Sequence, residues 1–310
     1  MDILGQIEQA EHRWDKSEAS REKVLQELNK MRQGENPDWE QLDERSRYQT
    51  RLQRLGDIEA AEALINTTAT DDSGIGFNPL ERILGSNEIM EIQFFERVII
   101  AARSVARVSI GHPSGGVRGH GTGFLISPRL FITNNHVIPD VTTARTSFIE
   151  FEYLTSMNGP RDSIVYKLEP GTFFLTDESL DFTVVAVEAV NSSGYSLKDR
   201  GWCPLIERSG KAVKGERVNI IHHPRGERMQ LTIRDNTILN VVDDFLHYKA
   251  DTLPGSSGSP IFNEQFELAA LHHAGVPERD SSRRILTING QLWQRNDDPD
   301  QISWIANEGT

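Results

Sequence analysis

The sequence has a single cysteine, Cys203, in 310 residues, so no intrachain disulfide framework can brace it. That thiol lies in the apolar run GWCPLI, where nothing nearby lowers its pKa, and it reads as a packed structural group. No apolar stretch is long enough to cross a bilayer. The amino-terminal MDILGQIEQAEHRW lacks the basic start and apolar core of a secretory signal. Positive charge is also scarce: 33 lysines and arginines face 46 aspartates and glutamates, a formal net charge of −13. Such a surface is repelled by nucleic acid and by anionic lipid. These absences predict a reducing, cytoplasmic setting with no nucleic-acid and no membrane partner.

Metal-binding patterns are missing as well. There is no HExxH and no cysteine pair at zinc spacing. The pairs His222–His223 and His272–His273 are adjacent, and adjacent residues on a strand point to opposite faces. The glycine-rich GHPSGGVRGHGTG (111–123) lacks the GKS or GKT ending of a phosphate loop. No metal and no cofactor is expected.

Residues 1–65 carry helical periodicity. Ile7, Ala10, Trp14, Val24, Leu28 and Met31 share an approximate stripe that Ser17 and Arg21 interrupt. GENPD (34–38) ends this helix, and a second apolar face follows through Trp39, Leu42, Tyr48, Leu52, Leu55, Ile58 and Leu64. A helical hairpin results, with a regulatory or interaction role open to it. Residues 1–72 contain 17 acids and 10 bases, a net of −7, so much of the acidity sits here. Residues 66–89 read as linker and lead-in, since NTTATDDSGIG is polar and aperiodic. A helix is expected over about Met90 to Ala102, capped by Ser86 or Asn87.

The texture changes after Val105. Short runs rich in Val, Ile, Phe and Thr alternate with Gly, Pro, Asn and Asp: VARVSI, GTGFLIS, RLFITNNHV, SIVYKL, FTVVAVEAV, RVNIIHH, MQLTIRDNTI, SPIFNEQ, FELAALHH. This predicts a mostly β unit, a sandwich or barrel, over 90–290, with a C-terminal extension at 291–310.

Three of these stretches carry chemistry. A serine hydroxyl needs an imidazole to take its proton, and the imidazole needs a carboxylate to hold its tautomer. TNNHVI supplies His136 after an apolar strand. SLDFTVVAV supplies Asp181 before one. PGSSGSP supplies Ser257 between glycines and directly before the strand SPIF, where a flexible linker would not sit. Each placement alone is commonplace; the three together, with these flanks, are not.

GTGFLISPRLFITNNHVI, LDFTVVAV, DTLPGSSGSPIF and ALHHAG together resemble the trypsin-like, chymotrypsin-fold serine proteases, especially the bacterial branch near the glutamyl endopeptidases. The resemblance spans about residues 105–276. It implies two six-stranded antiparallel β-barrels with the site in their cleft. It also implies Ser257 as nucleophile, His136 as general base, Asp181 as its orienting group, and an oxyanion hole from the N–H groups of Gly255 and Ser257. The position before the nucleophile, an aspartate in digestive relatives, is Ser256 here, so an ion pair with a newly cut amino terminus is not available. Asp251 lies at the pocket floor that selects arginine or lysine in trypsin-like enzymes. Thr252 and His272 match the pair that acid-selecting relatives use, which implies a protein or peptide substrate cut after Glu, or Gln or Asp. Arg or Lys selection through Asp251 and a catalytically weak binding module are the alternatives. His273 either faces the pocket or helps to hold the triad.

Overall fold

The computed structural model describes residues 3–35, 37–56, 84, 92–207, 210–233, 236–242, 244–249 and 253–274. The expected linker apart from Leu84, the C-terminal extension, Asp251, Thr252 and the start and cap of the helix before Ala102 lie outside them.

The expected first helix is two. Helix α1 (Ile3–Lys16) stops at Ser17 and α2 (Glu18–Arg32) begins directly after it. Ser17 Oγ donates to the carbonyls of Arg13 and Trp14, competing with the helical ladder from a side chain suited to that. The short α3 (Trp39–Leu42) is capped by the Asp38 carboxylate, which accepts from Glu40 N–H, and α4 (Arg45–Arg54) follows. These helices do not close on themselves alone. Val24, Leu28, Leu42, Tyr48 and Leu52 form one buried cluster with Val213 from the β-rich part. Polar bonds reinforce that seam: Tyr48 Oη donates to Lys214 O at 3.2 Å, and the buried Arg51 pairs with Glu216. Helix α5 (Gln93–Ala102) leads into the strands and buries Phe94 against Phe266, with ring centroids 4.9 Å apart.

The first half of the β part holds β1 (Val105–Gly111), β2 (Val117–Leu125), β3 (Leu130–Thr133), β4 (Phe148–Phe151), the tiny β5 (Thr155–Ser156) and β6 (Gly159–Pro160), β7 (Ile164–Lys167), β8 (Phe174–Asp177) and β9 (Phe182–Ala186). A short helix, α6 (Val141–Thr146), precedes β4. Seven of the strands form one antiparallel sheet in the order β7-β4-β1-β2-β3-β9-β8. Just past β7 and β9, Leu168 bridges to Val187, so the sheet curls strongly, but its ladders run as an open series among the described residues. The second half holds β10 (Asn219–His222), β11 (Gln230–Thr232), β12 (Ile238–Val242), β13 (Phe245–Tyr248), β14 (Pro260–Phe262) and β15 (Leu268–Leu271). They split into a four-stranded antiparallel sheet, β11-β10-β14-β15, and the hairpin β12-β13. The expected pair of six-stranded barrels therefore appears as one seven-stranded sheet and a four-plus-two arrangement. The mostly β, antiparallel architecture preceded by helices is as expected.

Alternation along the strands explains the layering. Ala106, Val108, Leu125, Phe131 and Val185 point to one face and build the core of the first half. Their neighbours Val105, Phe124, Ile132 and Val184 point to the other face and meet Ile221, Phe262 and Leu268 of the second half. Both faces of the central strands are thus buried, and the two halves share a core. Cys203 lies in this shared layer with its Sγ 3.1 Å from Ser104 Oγ, and burial pushes its pKa up to about 11 despite that bond. At neutral pH it is a protonated packing group.

Candidate active site

His136 follows β3 in the run Thr133–Asn134–Asn135, all of it buried. Asp181 opens β9 and is fully buried, with a left-handed backbone (φ 52°) that a short polar residue tolerates. Because β3 pairs with β9, the two residues meet at adjacent strand ends. Asn134 Nδ2 donates to Asp181 O at 2.8 Å and fixes the turn between them. One Asp181 oxygen accepts the His136 backbone N–H at 3.0 Å, and the other lies 2.8 Å from His136 Nδ1. The carboxylate therefore holds ring and backbone of the same histidine. That arrangement leaves the proton on Nδ1 and a lone pair on Nε2. His136 Nε2 is buried and has no hydrogen-bond partner among the described residues.

Burial is the largest influence on Asp181 and opposes its ionisation. The hydrogen bonds from His136 and the approach of His273 outweigh burial and hold the carboxyl below the usual aspartate range. The His273 Nδ1 atom lies 3.4 Å from Asp181 Oδ2, an ion-pair distance, but its alignment does not make a hydrogen bond.

The loop that carries Ser257 is shaped by backbone. Gly255 (φ 93°) has no room for a side chain: a Cβ there would lie 2.7 Å from His223 O and 2.8 Å from Gly226 N. Gly258 (φ 89°) is tighter, with Thr122 O at 2.0 Å from the same imagined atom. Neither Gly255 N–H nor Ser257 N–H donates to an acceptor among the described residues, whereas Ser256 N–H bonds Leu253 O and Gly258 N–H bonds His272 O. Two backbone N–H groups without an acceptor among the described residues thus flank Ser256. Ser257 O accepts the Thr122 N–H at 2.8 Å, and the space above Gly121 is bounded by Val137 Cγ1 and Ser257 O, which places the loop beside the residue after His136. Ser257 Oγ is not hydrogen-bonded to His136 Nε2. Such bonds are commonly long in unliganded enzymes and shorten with substrate.

Thr122 had no assigned role in the sequence, although it lies inside GTGFLIS. It is fully buried, and its Oγ1 donates to Gly255 O at 2.8 Å while accepting His223 N–H at 3.0 Å. Its own carbonyl accepts from Thr133 Oγ1 at 2.6 Å. One threonine ties the first sheet to the Ser257 loop. The HHPRG turn completes the cradle: Arg225 N–H donates to Pro254 O at 2.5 Å, and His222 Nδ1 lies 2.8 Å from Ser256 Oγ. The Ser256 hydroxyl, just before Ser257, is therefore engaged by an imidazole. Nothing in the local sequence pattern pairs residues 222 and 256.

His272 is buried, with Nδ1 2.5 Å from Tyr248 Oη, and its backbone N–H donates to Ser259 O at 2.9 Å. His272 thus sits beside the nucleophile loop, whereas His273 turns towards Asp181. The other two predicted pocket residues, Asp251 and Thr252, lie outside the described residues. Among the described residues no group of three or more His, Cys, Asp or Glu side chains is placed to hold a metal ion.

Burial lowers His222 to about 4 and His223 and His272 to about 3, from an ordinary 6.5. A folded pKa below the unfolded one means that unfolding takes up protons. The stability these three contribute is complete above pH 6.5 and is lost as pH falls towards their folded values. Glu216, pushed up to about 7 by burial against the pull of Arg51, acts in the opposite sense for one proton. The net expectation is a loss on the order of a few kcal/mol between pH 7 and 5. Urea unfolding followed at pH 7, 6 and 5 checks it; a midpoint that stays constant contradicts neutral burial of these imidazoles.

The family model described as "Trypsin-like peptidase domain" matches residues 121–271, a span that contains every one of the groups just described except His272 and His273 and the helical contacts. The match supports a trypsin-like serine protease domain within this chain. An uncharacterized protein, y4fB, of Sinorhizobium fredii is 34% identical over 255 residues, which cover 76% of this chain and 38% of that protein. The chain thus spans well under half the length of that relative. The crystal structure of a serine endoprotease from Yersinia pestis is similar at a TM-score of 0.43 and 20% identity, over 60% of this chain and 59% of that one. No helix among the described residues is long and apolar enough to cross a membrane.

Proposed function

We propose that this chain is a serine endopeptidase in which Ser257 attacks the peptide carbonyl, His136 takes its proton and Asp181 holds His136. The observation that carries this reading is the oriented His136–Asp181 pair, whose free Nε2 is buried near a loop with two unpaired N–H groups at Gly255 and Ser257. In the first step the Ser257 Oγ–C bond forms as its proton passes to His136 Nε2. The carbonyl oxygen becomes an oxyanion held by the Gly255 and Ser257 N–H groups. His136 then returns the proton to the leaving amine, and water repeats the sequence on the acyl-enzyme.

The reading extends to a two-barrel protease unit near the glutamyl endopeptidases, acting in the cytoplasm. For specificity, His272 beside the loop, with Thr252, favours glutamate at P1 over the Arg or Lys that Asp251 alone would select. Tyr248 Oη engages Nδ1 of that imidazole, which leaves its other nitrogen for a side-chain carboxylate. Residues 1–65 are the proposed seat of any regulatory partner.

A mixed peptide library, read against the Ser257→Ala variant, tests the specificity. Cuts after Glu that vanish in the variant are expected. Cuts after Arg or Lys would keep the triad and transfer the pocket to Asp251. No cuts, with Ser257 also refusing a fluorophosphonate label, would favour the binding-module alternative, for which the absent Ser257–His136 hydrogen bond is the supporting observation.

A further inference from the structure

Arg13 of helix α1 lies 260 residues before His273 in sequence, yet the helix lies against the Asp181 side of the site. Gln6, nearly fully buried, donates from Nε2 to the carbonyl of Glu178, three residues before Asp181, at 2.8 Å. One helical stretch further on, the Arg13 guanidinium stacks 3.7 Å above the Phe245 ring. Phe245 in turn packs on the His273 imidazole, with centroids 5.3 Å apart. Ser17 and Trp14 hold the far end of the helix on His247. The helix thus bridges the loop of Asp181 and the β12-β13 hairpin.

Arg13 Nη2 lies 3.3 Å from His273 Nε2. A guanidinium has only donors and does not give up its proton in proteins. His273 Nε2 must then be the acceptor, which leaves the imidazole proton on Nδ1. That nitrogen is buried, has no hydrogen-bond acceptor among the described residues, and lies 3.4 Å from Asp181 Oδ2. A buried N–H without an acceptor is costly, and the carboxylate that already holds His136 lies within 3.4 Å of it.

We propose that Arg13 and His273 are positioning residues for the triad: Arg13 sets the His273 tautomer so that Nδ1–H faces Asp181, and the helix that carries Arg13 thereby controls how firmly Asp181 holds His136. This rests on the endopeptidase reading above. Asp181 then accepts the His136 ring and backbone N–H groups while the His273 Nδ1–H faces it at 3.4 Å. His136 gains a positive charge in the transition state, when a fixed, ionised carboxylate matters most. The contribution therefore falls on kcat, with substrate binding untouched. The helix itself becomes a control point, because lifting α1 removes Arg13 without altering a residue of the protease unit.

The test uses the full chain in five forms: wild type, Arg13→Met, Arg13→Lys, His273→Ala and the Arg13→Met/His273→Ala double variant. Arg13→Met keeps the apolar stem over Phe245 and loses the donors. It is expected to lower kcat about tenfold, the scale of a lost charge-assisted hydrogen bond, at unchanged KM. Arg13→Lys, still a donor-only cation, is expected to remain within about threefold of wild type. In the His273→Ala background the Arg13→Met change should have no further effect, because the route through the imidazole is gone. Full independent effects in the double variant, or no effect of Arg13→Met, would overturn the proposal. Nitrogen NMR of the His273 ring separates this result from failure of the endopeptidase reading, since it needs no turnover. An Nδ1–H tautomer that shifts towards Nε2–H in Arg13→Met is expected; an Nε2–H tautomer in wild type refutes the relay even in an active enzyme.

Discussion

Ser257→Ala is expected to reduce kcat/KM for a cleaved peptide by about ten-thousand- to million-fold. Without the hydroxyl there is no acyl-enzyme, and only the Gly255 and Ser257 N–H groups remain to stabilise attack by water. The fold should not notice the change. Ser257 Oγ makes no hydrogen bond among the described residues, while the backbone bonds of the loop, Ser257 O to Thr122 and Gly258 N–H to His272 O, survive any side chain of similar size. Steady-state hydrolysis, active-site labelling and a thermal melt on the same preparation provide the check. A variant that still cleaves within tenfold of wild type would assign the activity to another residue. A variant that melts much earlier would mean that the hydroxyl is structural.

Asp181→Asn is expected to cost about ten-thousand-fold in kcat at neutral pH, nearly as much as loss of the nucleophile. Both carboxylate oxygens are used by His136, one by its backbone N–H at 3.0 Å and one by Nδ1 at 2.8 Å. An amide offers one acceptor and one donor. With its oxygen kept on the backbone N–H, its NH2 faces Nδ1 and forces the imidazole proton to Nε2, which turns the base into a donor towards Ser257. The His136 nitrogen shifts should show this tautomer exchange directly. Near-normal turnover in Asp181→Asn would show that the pair is a structural contact that happens to lie at two strand ends.

The strands of the β part were readable because the alternation of Val, Ile and Phe with small or polar residues is strong there. The sequence singled out His136, Asp181 and Ser257 because each lies near a strand end in a distinctive run, and the first two do meet. The break at Ser17 showed in the sequence only as an interrupted stripe, since neither glycine nor proline marks it; the side chain's bonds to the preceding turn accompany it. Phe174–Asp177 and Phe245–Tyr248 are four-residue strands that pair with their neighbours β9 and β12, and such short runs have no period to detect. The seven-stranded count depends on the first of them. The contacts of Thr122 with Gly255 and of Arg13 with His273 join residues 133 and 260 positions apart, and no local spacing encodes such pairs. One open question in the sequence was whether His273 faces the pocket or the triad; its 3.4 Å approach to Asp181 favours the triad.

The distance of Arg13 from His273 also orders events during translation. The helices and the first sheet emerge early, and with them the His136–Asp181 pair. The nucleophile loop, the Gly258–His272 backbone bond and the His273 imidazole arrive more than seventy residues later. Arg51 and Arg54 must likewise wait for Glu216 and Glu267, 165 and 213 residues downstream. A ribosome-bound chain therefore carries the His136–Asp181 pair long before Ser257 and its loop can join it.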